Sequence, residues 1–124
     1  MAGFEELEVW KQCRLLRIEV SNIVKTFPTE EKYRLVDQLL RCSRSVNANI
    51  AEGHGRFHYQ ENIQFCRQAR GSLSEIIDHL ICAFDEKYIS QIQLDKLRIL
   101  YLLCLKLLNG YILYLKNRKT EEGI

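Results

Sequence analysis

Apolar residues recur every three or four positions along most of this chain, which is the spacing that places them on one face of an α-helix. The first such stripe starts at Leu7 and ends at Phe27, because Pro28 pushes the residue before it out of the helical conformation. Three more stripes follow along the chain. Together they predict four helices, over residues 4–26, 29–53, 58–86 and 90–117.

Polar and small residues at the ends of the stripes agree with these boundaries. Thr29 is a favourable N-cap for the second helix, whose first turn carries two glutamates. Gly53 and Gly55 supply the C-terminal cap and the turn that follows. Ser90 and Gln93 have the Ser-x-x-Gln spacing of a capping box, which is expected to open the fourth helix.

The number of helices and the shortness of the turns indicate how the chain packs. Four long helices joined by short turns predict an all-α protein folded as an antiparallel up-down-up-down four-helix bundle. A chain of 124 residues is long enough for one core of its own. We therefore expect a single domain over residues 1–124.

The fourth helix is apolar on nearly every side between residues 99 and 115. A membrane span is one explanation, but this stretch contains Lys106 and falls short of the roughly 20 apolar residues that a span needs. A helix that is apolar all round is buried all round. We therefore expect one side to face the bundle core and another to face a second copy of the chain, in a homo-oligomer outside the membrane.

Composition and cysteine spacing favour a cytoplasmic protein without catalytic chemistry. The net charge of +2 is too small to predict nucleic-acid binding by itself, and no secretion signal opens the chain. The five cysteines are odd in number and include no Cys-x-x-Cys pair, so we expect reduced, mostly buried thiols. No metal-ligand cluster, nucleotide-binding motif or acid–base pair is recognisable, and neither an enzymatic activity nor a cofactor is predicted.

One face of the second helix carries polar residues that stack along the helix. Ser45, Asn49 and Glu52 follow the i, i+4, i+7 spacing. They form either a polar site for RNA or a partner protein, or a hydrogen-bonded seam that holds the helix against the third helix or a neighbouring subunit. We favour the seam, with Ser72 and Glu75 facing it, because buried polar groups need partners. The glycine before Ser72 predicts a close backbone approach at this level.

The predicted bundle gathers ten of the eighteen basic residues towards one end, where the first helix begins, the second turns into the third and the fourth ends. We predict that these residues bind the phosphates of RNA or DNA with little sequence specificity, because no base-reading module is recognisable. A solvated face with ordinary ion pairs is the alternative. Tyr101, Tyr111 and Tyr114 could stack on bases, although packing or an interface is their expected role. The ten basic residues are Lys11, Arg14, Arg41, Arg44, Arg56, Arg67, Arg70, Lys116, Arg118 and Lys119.

Several segments match the motifs of a known bacterial family in their order and spacing. They are Phe27-Pro28-x-x-Glu31, Tyr33-x-Leu35, Gln38-Leu39-x-Arg41, Ser45-Val46-x-x-Asn49-Ile50-Ala51-Glu52-Gly53-x-Gly55-Arg56 and Phe65 with Ala69-Arg70-Gly71-Ser72-Leu73-x-Glu75. In these segments the chain resembles the four-helix-bundle family encoded in intervening sequences of 23S rRNA genes, also called S23 ribosomal proteins. The chain is similar, more distantly, to the accessory variability protein of diversity-generating retroelements. It departs from the family pattern at His58, Asn62 and Cys66, at the start of the third helix.

The resemblance implies a protein that assembles as a ring-shaped homopentamer. The accessory variability relatives bind nucleic acid and a reverse transcriptase. RNA or DNA, and by distant analogy a reverse transcriptase or another protein, are therefore the implied partners. The resulting hypothesis is a non-enzymatic homo-oligomer that binds nucleic acid as an accessory protein. The alternative is a protein–protein scaffold or adaptor that does not bind nucleic acid.

Overall fold

The computed structural model describes residues 3–122 and contains, within them, four α-helices and no β-strand. The helices are α1, Glu8–Ile23; α2, Leu35–Gly55; α3, Tyr59–Asp85; and α4, Gln91–Glu122. Short 3-10 turns at Phe4–Glu6, Val24–Thr26 and Thr29–Glu31 precede α1 and connect it to α2. The predicted all-α fold with four helices is confirmed.

Each helix buries an apolar stripe in one shared core. α1 packs against α2 and α4, and α3 packs against the same two helices. The largest side chains without exposed surface come from all four helices, among them Leu16, Leu39, Leu73 and Leu108. The stripes read from the sequence are therefore the faces that pack, as their helical spacing requires.

Side-chain hydrogen bonds show which parts of α3 and α4 lie together. The Tyr59 hydroxyl, in the first turn of α3, donates to Glu122 in the last turn of α4 at 3.3 Å. Farther along α3, the Arg70 guanidinium donates to Asn109 Oδ1 at 2.9 Å. The beginning of α3 thus lies beside the end of α4.

The segment before α2 folds differently from the prediction. α2 begins at Leu35, and Thr29 opens a 3-10 turn after Pro28 instead of capping a helix with its side chain. Tertiary contacts hold this turn, because the Tyr88 hydroxyl donates to the Glu31 carboxylate at 2.9 Å. The glutamates that the sequence assigns to a first helical turn therefore belong to a packed connection.

Three other helix ends also differ from the sequence-based boundaries. α1 begins at Glu8 instead of residue 4, because Leu7 is extended and separates it from the preceding 3-10 turn. α2 continues through Gly53 to Gly55. α4 continues past residue 117 to Glu122, where its last turns bond to the start of α3. The extension of α4 beyond residue 117 is explained by its contact with α3, because the local sequence does not predict it.

The predicted capping box at the start of α4 is present. The Ser90 hydroxyl accepts a hydrogen bond from the Gln93 backbone N–H at 3.1 Å, and the Gln93 side-chain oxygen accepts one from the Ser90 N–H at 2.8 Å. Two backbone donors that have no partner inside the helix are satisfied in this way. The box fixes where the longest helix begins.

We expect the substitution Ser90→Ala to lower the free energy of unfolding by about 1 kcal/mol, because it removes the N-cap acceptor. Urea unfolding followed by circular dichroism measures the change. Ser74→Ala is the matched control, since Ser74 is an exposed serine inside α3 that bonds only to the Arg70 carbonyl one turn earlier. Equal stability of the two variants would contradict the capping role.

Candidate nucleic-acid interface

Three of the five predicted seam residues form a small hydrogen-bond network between α2 and α3. Ser72 Oγ donates to Ser45 Oγ at 3.0 Å. Asn49 Nδ2 donates to the same hydroxyl at 3.0 Å and to the Ser45 carbonyl at 2.9 Å. Glu52 and Glu75 do not join this network: both are exposed, and Glu52 forms an ion pair with Arg56. The seam is therefore shorter than predicted and contains no carboxylate.

Two buried asparagines were not predicted as polar contacts. Asn47, only 2% exposed, donates from Nδ2 to the Trp10 carbonyl at 3.0 Å and so ties α2 to α1. Asn62 donates from Nδ2 to the Tyr111 hydroxyl at 3.1 Å and ties α3 to α4. Both lie on the buried face of their helices, where an amide needs a hydrogen-bond partner. An asparagine inside an apolar stripe is the sequence signal for such contacts.

The close approach between helices occurs at Gly53, and the prediction of one at Gly71 is wrong. A Cβ atom on Gly53 would lie 2.7 Å from Asn62 Oδ1 and 2.9 Å from Phe65 Cβ. A Cβ atom on Gly71 would meet nothing within 4 Å. Gly71 is exposed on α3, whereas Gly53 is buried where α2 crosses the start of α3. The glycine predicted to end the helix is thus the one that allows close packing.

The ten predicted basic residues lie on the surface without forming one cluster. Arg56 and Lys119 lie around the α2–α3 turn, since Lys119 donates to Gln60 in the first turn of α3. Arg41 lies fourteen residues before Gly55 on the same helix, a distance of about 21 Å at 1.5 Å per residue. The basic residues therefore extend along the molecule instead of gathering at the turn.

Carboxylates pair with only some of these basic side chains. The ion pairs join Arg41 to Asp37 at 2.9 Å, Arg56 to Glu52 at 3.5 Å and to Glu61 at 3.8 Å, and Arg118 to Glu121 and Glu122. The other seven form no ion pair with any residue between 3 and 122. We call them the free basic residues: Lys11, Arg14, Arg44, Arg67, Arg70, Lys116 and Lys119.

The α2–α3 turn holds an exposed aromatic ring in an unusual backbone conformation. Phe57 has a φ angle of 59°, which bulky residues rarely adopt, and is 73% exposed. Its ring lies beside that of His54, with 6.4 Å between the ring centroids. Apart from this contact, most of the Phe57 ring remains exposed to solvent.

Beside Phe57 is a hollow of about 350 Å³, which we call the end pocket. The turn and the first residues of α3 form one side, and the C-terminal part of α4 forms the other. Tyr111 and Tyr114 lie nearly parallel, with ring centroids 6.2 Å apart. Burial raises the pKa of Tyr111, although its hydrogen bond with Asn62 acts in the opposite direction. The lining residues are Leu7, His54, Phe57, His58, Tyr59, Asn62, Tyr111, Tyr114, Leu115 and Glu122.

α4 also has an apolar surface opposite its core face. Ile99 is 71% exposed and Leu113 is 58% exposed, although both are large apolar residues. At 100° per residue, the exposed apolar residues of α4 fall on one side of the helix. Leu15 and Ile18 of α1 are exposed as well. We call this set the outer apolar face: Leu15, Ile18, Ile92, Ile99, Leu102, Leu103 and Leu113.

Length and composition alone would allow α4 to cross a membrane. Its most apolar 18-residue window has a mean hydropathy of 1.5, and 22% of that window is buried inside the fold. One helix of this kind is weak support for a membrane location, because core helices of soluble proteins pass the same test. The face of α4 opposite the outer apolar face packs in the core, where Leu97, Cys104 and Leu108 are buried.

The cysteines and acidic residues form no recognisable reactive centre in the described part of the chain. All five thiols are free, and only Cys82 is exposed. Burial raises the pKa of Cys66 to about 12 and that of Cys42 to about 11, which keeps both in the unreactive thiol form at neutral pH. No group of three potential metal ligands occurs among residues 3–122.

Fold and surface together define a small four-helix protein with a bare apolar face and free basic side chains. Its sequence matches the family model of the 23S rRNA-intervening sequence proteins over residues 5–110, and the chain belongs to this family. Its structure is similar to that of a protein of unknown function from the S23 ribosomal protein family of Bacteroides thetaiotaomicron VPI-5482. The TM-score is 0.77 at 23% sequence identity, over 84% of this chain and 97% of the other. No curated protein matches the chain.

The two glycines provide a test of the α2–α3 contact. We expect Gly53→Ala to destabilise the protein by about 1–3 kcal/mol, because the added methyl group overlaps Asn62 and Phe65. Gly71→Ala is the matched control and should stabilise it by about 0.5–1 kcal/mol, since alanine is favoured in an unobstructed helix. Urea unfolding measures both effects. Similar gains for both variants would show that α2 and α3 are farther apart at Gly53.

Proposed function

We propose that the protein is a non-enzymatic homo-oligomer that binds the phosphates of RNA or DNA as an accessory protein. The observation that carries this proposal is the set of free basic residues, since no carboxylate between residues 3 and 122 neutralises them. Lysine and arginine bind phosphates by charge, largely without regard to base sequence. The spread of these residues along the molecule suits an extended polyanion better than a small anion.

The protomer that we propose is an antiparallel up-down-up-down four-helix bundle. The hydrogen bonds that place Tyr59 beside Glu122 and Arg70 beside Asn109 support this arrangement of α3 and α4. The packing of α1 against both α2 and α4 supports a closed set of four helices. Short connections between successive helices favour the same topology.

We further propose that a second copy of the chain covers the outer apolar face. Exposed large apolar residues grouped on one side of a helix are typical of protein interfaces. The family resemblance implies a ring of five copies, and such a ring would repeat the free basic residues around its circumference. The modest net charge of +2 per chain would then add up over the assembly.

The double substitution Ile99→Asp and Leu102→Asp should convert the oligomer to a folded monomer, because it places two charges in the apolar contact. Light scattering measures the mass, and circular dichroism checks the helices. Ala48→Asp is the control, since Ala48 is exposed on α2 away from this face. A monomeric wild-type protein, or an oligomer that survives the double substitution, would contradict the proposed interface.

Charge reversal of free basic residues tests nucleic-acid binding. We expect Arg67→Glu with Lys116→Glu to weaken binding of single-stranded RNA and to reduce the slope of log K against log salt by about 1.4 if each side chain contacts one phosphate. Fluorescence anisotropy over a salt titration measures both quantities. Both side chains are exposed and form no ion pair in the described chain, so the substitutions remove no ion pair that stabilises the fold.

The matched control is Lys25→Glu with Lys32→Glu, which changes the net charge equally at exposed residues before α2. An equal loss of affinity in both double variants would show that only the net charge matters. It would then contradict a binding surface at Arg67 and Lys116. No binding by the intact wild-type oligomer at low salt would refute the proposed function.

A second candidate function is a scaffold or adaptor for another protein, such as a reverse transcriptase by distant analogy. The outer apolar face is the observation that favours it, because such a surface binds a foreign helix as well as a second copy. An intact wild-type oligomer that binds no nucleic acid at low salt would favour this function. The lack of enzymatic activity and the cytoplasmic location stay predictions from the sequence.

A further inference from the structure

We propose that the end pocket binds one unstacked base of a single-stranded nucleic acid, whose phosphates remain outside on the surrounding basic side chains. This inference rests on the proposed nucleic-acid binding and adds a recognition element to it. Phosphate contacts alone do not distinguish single strands from duplexes, whereas a pocket for a base requires an unpaired nucleotide.

Phe57 is the first observation that carries the inference. Phe57 directly follows Arg56, the C-cap of α2, and its φ angle of 59° is the left-handed conformation that commonly ends a helix, as at Lys87 after α3. The fold does not cover the side chain placed there, because its ring is 73% exposed to water. A ligand that stacks on the ring would cover apolar surface that the fold itself leaves bare.

The size and the walls of the pocket also fit a base. A volume of about 350 Å³ lies at the lower end of the range of roughly 300–1,000 Å³ for small-molecule pockets. Four phenylalanine and tyrosine rings line it, those of Phe57, Tyr59, Tyr111 and Tyr114. Tyr114 is 55% exposed, so its face is accessible from solvent. Aromatic rings on two sides of a narrow hollow favour a flat, aromatic guest over an aliphatic one.

The polar groups around the pocket indicate which part of a nucleotide enters it. Glu122 lines the pocket with Oε1 already bonded to Arg118 and to the Tyr59 hydroxyl, and its Oε2 can accept a hydrogen bond from an amino or imino group of a base. His54 and His58 supply further polar edges. Lys119, one of the free basic residues, bonds to Gln60 in the first turn of α3, so it can contact a phosphate outside the pocket.

A comparison of strands with and without bases tests the inference. The probes are fluorescein-labelled oligothymidylate and an abasic strand with the same number of phosphates. We expect the wild-type oligomer to bind the strand with bases about tenfold more tightly, which is within the range for stacking of one base. Phe57→Gly should remove most of this preference while leaving the affinity for the abasic strand unchanged. Glycine tolerates the positive φ angle, so this variant keeps the turn.

Two further variants make the test specific for the pocket. Tyr114→Ala should reduce the preference for bases, because it removes the second accessible ring. Tyr33→Ala should not change it, since Tyr33 is the most exposed aromatic residue in the described chain, at 82%, and does not line the pocket. Light scattering confirms that each variant keeps the mass of the wild-type oligomer.

The possible results separate this inference from the proposed function. Equal binding of both strands by the wild-type protein would overturn the base pocket and leave phosphate binding in place. A preference for bases that survives both Phe57→Gly and Tyr114→Ala would also overturn it, because the bases would then be bound elsewhere. Failure to bind either strand at low salt would refute the proposed function together with the pocket.

Discussion

The close contact between α2 and α3 is the constraint on which the rest of the structure depends. Gly53 permits it, because any larger residue would overlap the start of α3. Only residues 56–58 separate the two helices, so the chain must reverse within a very short turn. That turn holds Phe57 at a positive φ angle and exposes its ring. The same approach brings Ser45 within hydrogen-bond distance of Ser72.

α4 connects the stability of the protomer to the proposed assembly. Its inner face fills the core through Cys104 and Leu108, while its outer face leaves Ile99 in solvent. Burying one large aliphatic side chain contributes about 1.5–3 kcal/mol, so the outer apolar face represents a substantial driving force for association. Its last turns hold the start of α3 through Tyr59. One helix thus supports the core, the proposed interface and the end pocket.

The parts of this structure that local patterns encode were predictable from sequence. Helical stripes gave the four helices, and the Ser90 capping box gave the start of α4. The glycines were misassigned, because helical propensity treats Gly53 and Gly71 alike and does not show which one faces another helix. The sequence identified the basic residues, but it did not predict that they are spread along the molecule or that three of the ten form ion pairs with carboxylates. The conformation of Phe57 was not predicted, because the sequence places the end of α2 at Gly53 whereas the helix continues to Gly55 and the left-handed position falls on Phe57.

Charge and assembly become coupled under the proposed function. A protomer with a net charge of +2 attracts a polyanion only weakly, and each phosphate contact adds a small, salt-sensitive increment. An oligomer presents several copies to one strand, so contacts after the first form at a high effective concentration. By thermodynamic reciprocity, a strand that bridges protomers stabilises the oligomer to the same extent. In the proposed oligomer, burial of Ile99 would thereby contribute to nucleic-acid affinity, although that side chain would contact no phosphate.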